Sequence, residues 1–252
     1  MKIKFLGTGT SSGVPQIGCG CAVCTSKDSR DWRLRTSLLV ETEFKHLLLD
    51  CGPDFRWQMI RSHTTSLDAV LLTHEHYDHV GGLDDLRPFC FHKSMDVYAQ
   101  QSVVDAVQTR IPYVFREHKY PGVPNLSLHS ISLEPFLAAD IKVIPIRVMH
   151  GHLPILGYRI GNMAFITDMS CLPEEEFSKL EGLEVLVISA LRTWPHPAHE
   201  SLQEALVNIN KINPKEAYLI HMSHGIGLHA EVEKILPPHV HLSYDNLEIE
   251  IL

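Results

Sequence analysis

The densest chemistry in the chain lies in His74-x-His76-x-Asp78-His79, four side chains able to give a lone pair to a cation within six residues. A short apolar run, 67–72, leads straight into it and reads as a strand buried on both faces. In a turn after a strand, alternate side chains share a direction, so His74 and His76 can aim at one point. Asp78 and His79 then diverge as the chain turns into a helix. One ion could hardly use all four donors, whereas two adjacent ions could share them. Imidazole and carboxylate suit zinc, and also manganese or iron. Two such ions roughly 3.5–4 Å apart ionise water and clamp a reacting phosphoryl or carbonyl group.

That chemistry needs further donors from distant strands, one of them a carboxylate that touches both ions. His150, Asp168 and His221 meet the need. Each follows an apolar, strand-like run directly or nearly so, as His74 does, and strand ends gathered on one sheet edge are where α/β proteins place their chemistry. His152, two residues past His150, competes for the same role; His150 is preferred because it sits at the strand end itself.

A second cluster, Cys19-x-Cys21-x-x-Cys24, puts three thiols on one tight loop. In a reducing compartment such spacing reads as a metal site before it reads as a disulfide. A structural zinc needs four ligands and no open position. His224, three residues past His221, is the chosen fourth, with His229 as the alternative.

The elements that must position these residues follow from the apolar pattern. Strands are expected at 2–6, in a hairpin over 36–41 and 46–49, and at 96–99, 141–149, 185–190 and 217–220. A second hairpin, 157–160 with 163–166, leads to Asp168. Helices are expected at 100–110, at 173–180 with Pro173 in its first turn, at 200–211 and at 231–236, before terminal strands at 239–243 and 247–251. The Pro-rich stretch 111–139 reads as loop with short strands. Neither a repeat nor a break in composition divides the 252 residues, so one domain, 1–252, is expected.

A formal charge of −8, with no Lys/Arg-rich run, argues against a protein that coats nucleic acid. The beginning, Met1 to Gly7, runs at once into glycines without the apolar stretch of a signal peptide, and no apolar run reaches membrane-spanning length. A cytoplasmic protein with no membrane partner is the expectation. Gly7, Gly9 and Gly13 are too loosely spaced for a nucleotide fingerprint and serve better as turns beside the metal site. Asp54, Arg56 and Trp57 carry no separate signal, while Arg192, Thr193 and Trp194 are candidates to line a pocket.

The segment Thr73-His74-Glu75-His76-Tyr77-Asp78-His79 resembles the signature of the metallo-β-lactamase superfamily. The resemblance implies an α-β sandwich of four layers, αβ/βα, with its site at one edge of two sheets. It implies that His74, His76 and His150 hold one metal, that Asp78, His79 and His221 hold the other, and that Asp168 bridges them, with Asp50 supporting the ligands from behind. The glycine-rich start Leu6 to Gly13, the cysteine cluster and His221-Met222-Ser223-His224 together resemble PhnP-type phosphodiesterases. That branch implies two catalytic divalent ions, zinc or manganese, and one structural zinc pinning the N-terminal loop beside His221. His199, in Pro197-Ala198-His199-Glu200, aligns with the general acid proposed for the family, with His196 its nearest competitor; Asp78 counts as catalytic with it. A small or cyclic phosphodiester is the expected substrate, and a second copy of the chain is the one protein partner considered. RNase Z, a related branch that shares the glycine-rich start and a segment like His150 to Gly157-Tyr158, supplies the alternative of tRNA processing. A non-catalytic metal-binding protein of the same fold is the third reading.

Overall fold

The structure, a computed structural model, describes residues 1–91, 93–118 and 120–251. Two seven-stranded sheets are built on the same plan. In the first, β14 (Glu248–Glu250), β1 (Lys2–Gly7), β2 (Ser37–Glu41), β3 (His46–Leu49), β4 (Ala69–Leu71), β5 (Met95–Ala99) and β6 (Leu126–Ser130) lie in that order. In the second the order is β13 (Val240–Leu242), β12 (Glu216–Ile220), β11 (Val185–Ser189), β10 (Met163–Ile166), β9 (Leu153–Ile160), β8 (Ile141–His150) and β7 (Phe136–Ala138). Each sheet has antiparallel pairs on one side and parallel pairs on the other. The hairpin β2–β3 passes into the parallel run β3 to β6, and the hairpin β9–β10 into the parallel run β10 to β13.

Alternation along the strands explains the stacking. Leu47 and Leu49 of β3 face the space between the sheets, where they meet Phe5, Phe165 and Val187. Leu48 faces the other way, into a core shared with α1 (Phe55–Ser62) and α3 (Gln101–Arg110). On the far side, Ala164 and Ile166 of β10 pack with Ala205 and Ile209 of α4 (Leu202–Ile212). Helix, sheet, sheet and helix make the expected four layers. Each buried Leu or Phe contributes about 1.5–3 kcal/mol.

Several elements differ from the sequence reading. Helix α1 was not expected: Phe55 and Met59 bury one narrow face, but the exposed Trp57 and Ile60 blur its period. The stretch 174–180 is 3₁₀ turns rather than an α-helix, and the helix at 231–236 is a short α5 (His229–Val232) followed by a 3₁₀ turn. Strand β9 begins at Leu153, four residues before its expected start, because it pairs with β8 from Val143 to His150. Among the described residues no helix is long and apolar enough to cross a membrane.

The sheets are joined near the strand ends by two polar links. Tyr158, fully buried, donates its hydroxyl to the carbonyl of Leu72, and the N–H of Leu156 donates to Thr73 at 3.1 Å. Both fall at the entrance to the His74–His79 turn. Tyr158→Phe leaves the Leu72 carbonyl short of a buried donor and is expected to cost about 1–3 kcal/mol, read as a lower urea midpoint at unchanged slope.

Candidate metal centre

Five strand ends meet at one edge of the sandwich. After β3 comes Asp50, after β4 the turn from Thr73 into α2 (Tyr77–Val80), and at the end of β8 stands His150. Asp168 follows β10 and His221 follows β12. Three of these residues depart from ordinary backbone in the same way: Asp50, Asp168 and His221 have φ of 62°, 53° and 55°. None is glycine, so each left-handed turn is strain of about 1–3 kcal/mol held by its surroundings. The turns swing side chains at once from strand direction into the common site. The 73–79 turn is wedged close to Gly52, where a Cβ would stand 2.1 Å from the Asp78 carbonyl, so any larger residue would push the turn out.

The side chains form two groups. The ligand-type nitrogens of His74, His76 and His150 lie within 4.8 Å of one another, as do the nearest atoms of Asp78, His79, Asp168 and His221. In the second group His79 Nε2 stands 3.1 Å from both Asp78 Oδ2 and Asp168 Oδ2, and His221 Nε2 stands 3.2 Å from Asp168 Oδ1. Asp168 also belongs to a third group with His150 and His199, with His199 Nδ1 3.6 Å from its Oδ1. The rings of His74 and His79 lie 4.2 Å apart, so the first two groups adjoin.

Partners behind the site set which nitrogen faces inward. Asp50 Oδ2 accepts from His79 Nδ1 at 2.7 Å, which turns Nε2 toward the two carboxylates. Asp50 is itself held by the N–H and hydroxyl of Thr73, and that hydroxyl lies 2.9 Å from His74 Nδ1. His150 Nδ1 donates to the Ala198 carbonyl at 2.7 Å, leaving Nε2 for the centre. Thr73 and the Ala198 carbonyl were missed in the sequence; Thr73 lay inside the motif, but a backbone carbonyl leaves no residue-type signal.

These donors fit cations. His74 Nε2 is buried with no hydrogen-bond partner, a costly state for a polar atom unless something else binds it. Burial opposes the charge on Asp168, yet His221 and His79 together hold its carboxyl well below the usual range. Burial also opposes a charge on His79, but Asp168 and Asp50 outweigh it and raise its pKa well above the ordinary value. The pocket calls for positive charge among its carboxylates, from a proton or from a metal.

Of the competing histidines, His150 joins His74 and His76 while His152 is exposed and belongs to no donor group among the described residues. His199 stacks on His221 with ring centroids 5.1 Å apart, whereas His196 lies one ring further out, 5.0 Å from His199. Burial, then His221, push the His199 pKa down to about 3, so it stands as neutral imidazole at pH 7.

The cysteine loop closes on His224. Its Nδ1 lies 3.2, 3.7 and 3.3 Å from the sulfurs of Cys19, Cys21 and Cys24. A tetrahedral zinc with ordinary Zn–S and Zn–N bonds would set each such distance at about 3.5 Å. His229 is elsewhere, its N–H on Asp31 and its Nδ1 3.5 Å from buried Arg33.

Glu200, next to His199, is buried; Oε1 accepts from Asn208 while Oε2 has no partner, and burial pushes its pKa up to about 8. A carboxyl whose folded pKa lies above its unfolded value favours folding most below the unfolded pKa, near pH 4.3, and loses that advantage as pH rises toward about 8. Glu200→Gln is therefore expected to raise Tm at pH 8 and to change it little at pH 4.5, as measured by thermal unfolding at both values.

Residues 45–222 match the family described as a beta-lactamase superfamily domain. Over 251 residues the chain is 51% identical to a protein of Porphyromonas gingivalis (strain ATCC BAA-308 / W83) named octanoyltransferase, an alignment covering 98% of this chain and 51% of that protein. The chain spans about half the length of the curated relatives it matches. A solved diphosphatase from the PhnP family superposes with a TM-score of 0.94 and 36% identity, over 100% of this chain and 98% of that one. The short form of human tRNase Z superposes at 0.74 with 18% identity, over 100% of each chain, a likeness of fold.

Proposed function

The chain belongs to the metallo-β-lactamase superfamily, in its PhnP-like branch, and from that premise we propose that this hydrolase is a two-metal phosphodiesterase acting on a small or cyclic phosphodiester. The observation that carries the reading is Asp168, whose carboxylate joins Asp78, His79 and His221 in one donor group and His150 and His199 in another. His74, His76, His150 and Asp168 would hold one ion, and Asp78, His79, His221 and Asp168 the other. Zinc or manganese suits these donors. Bound there, the ions would supply Lewis acidity toward a phosphoryl oxygen and a strong nucleophile from water at neutral pH.

The remaining work falls to the chain. Asp50 and the Ala198 carbonyl hold His79 and His150 in the tautomers that face inward. His199 is placed to deliver a proton to the leaving oxygen. Burial and His221 disfavour its charged form, and the negative phosphoryl group brought beside it works in the opposite direction. Cys19, Cys21, Cys24 and His224 would hold a structural zinc. The octanoyltransferase relative is about twice the length of the chain, and the thiol of Cys51, beside Asp50, is fully buried, with burial raising its pKa well above the usual range. A formal charge of −8 favours a small substrate over an RNA gripped through its phosphates.

The full chain is expected to carry about three metals and to hydrolyse bis(p-nitrophenyl) phosphate. His199→Ala should lower kcat by roughly 10²–10⁴ with metal content unchanged. Elemental analysis beside the kinetics checks this. A fully loaded protein that spares every phosphodiester yet turns over a thioester or lactone would overturn the proposal.

A further inference from the structure

A cleft of about 300 Å³ opens between α1 and the 32–35 segment. That volume is at the low end for small-molecule pockets, about 300–1,000 Å³. One wall is a face of α1: Asp54, Trp57 and Arg61 follow one another at spacings of three and four, so they line up along the helix over about 10 Å. The opposite wall carries Trp32 and Arg35, and Val14 and Pro15 form an apolar floor.

Two indole rings face this cleft while remaining 55% and 51% exposed, Trp32 and Trp57 respectively. Trp32 does not swing freely, because its Nε1 donates to the Ser26 carbonyl at 3.0 Å. A fixed ring with an open face is a stacking platform prepared in advance. The two arginines have different duties. Arg35 is consumed within the protein, paired with Asp54 at 3.1 Å and donating from Nε to the Ser11 carbonyl. Among the described residues Arg61 has one distant partner, Asp245 at 3.9 Å, and keeps donors for an anion.

We propose that this cleft binds a planar aromatic group bearing a phosphate, as in a nucleoside monophosphate, with the ring against Trp32 and Trp57 and the phosphate on Arg61. The proposal stands apart from the phosphodiesterase reading, since none of the residues that line the cleft belongs to the metal-donor groups.

Calorimetric titration of the full chain with AMP, adenosine and ribose 5-phosphate tests it. AMP should bind saturably, and ribose 5-phosphate at least about tenfold more weakly, as expected when a base loses its stacking partner. Trp32→Ala and Trp57→Ala should each weaken AMP about tenfold, with Trp57→Phe between them and the native protein should the alanine variant not fold. Arg61→Ala should weaken AMP and leave adenosine unchanged. No saturable AMP binding, equal binding of ribose 5-phosphate, or tryptophan variants that bind AMP as the native chain does would each overturn the site. Hydrolysis of bis(p-nitrophenyl) phosphate separates the two claims. Activity with unaltered AMP binding in the variants removes the cleft alone, whereas AMP binding that depends on both tryptophans in a chain that cleaves no diester removes the phosphodiesterase reading alone.

Discussion

Two buried carboxylates, Asp78 and Asp168, point at the same nitrogen of a buried histidine, and most of the architecture around them exists to hold that arrangement. Left to themselves these groups would separate, since like charges in a low-dielectric interior repel strongly and each carboxylate loses hydration on burial. They stay because Asp168 follows β10 by two residues and Asp78 stands in the short α2, whose backbone is wedged against Gly52. Positive charge in the pocket then turns the most unfavourable part of the molecule into a strong binding site. The same logic applies on a smaller scale to the cysteine loop, where three sulfurs crowd one nitrogen of His224.

The backbone shows where the opposing forces are absorbed. Asp50, Asp168 and His221 all take left-handed conformations, and all directly follow strands of the two parallel runs or lie within two residues of them. A strand leaving a sheet normally continues outward. A left-handed residue reverses it within one step, so that a short side chain such as Asp reaches the shared edge. Links between the sheets, through Tyr158 to Leu72 and Leu156 to Thr73, keep the two contributing edges in register. The strain is thus local, while the packing that opposes it is spread over three apolar layers.

How much of this was legible in the sequence depended on how each feature is encoded. The donor residues were readable because their types are specific to the chemistry and because His74, His150, Asp168 and His221 each follow an apolar run directly or nearly so; the structure brings together His74, His76 and His150, and separately Asp78, His79, Asp168 and His221. The two-sheet sandwich could be anticipated from the resemblance and from the strands, most of which fall within two residues of their expected bounds. Helix α1 was hidden because a helix that lends its exposed face to a cleft carries Trp57 and Ile60 where a simple amphipathic pattern has polar residues. The choice between His150 and His152 turned on how far β8 runs, a tertiary fact set by its pairing with β9. Support from the Ala198 carbonyl could not be read at all, since every residue has a carbonyl.

The loop that carries His199 and the loop that carries the cysteines are not independent. The segment 221–225 is stitched on one side to the N-terminal loop, by Thr10 N–H on the Met222 carbonyl and Met222 N–H on Thr8. On its other side Ser223 donates to Leu191 and Thr193 donates to the Gly225 carbonyl. Gly225 has no room for a side chain, because a Cβ there would stand 2.6 Å from the Trp194 ring. From Leu191 the chain continues through His199 to the capping box of Ser201 and Glu204, which anchors it to α4. His221 and His224 sit on this central segment, facing the metal centre and the cysteines respectively. Fixing His224 among the three sulfurs therefore fixes the segment from which His221 projects and against which the His199 loop is hung. The cysteine cluster is thus tied mechanically to the donor groups: holding His224 steadies both the segment that carries His221 and the loop that carries His199.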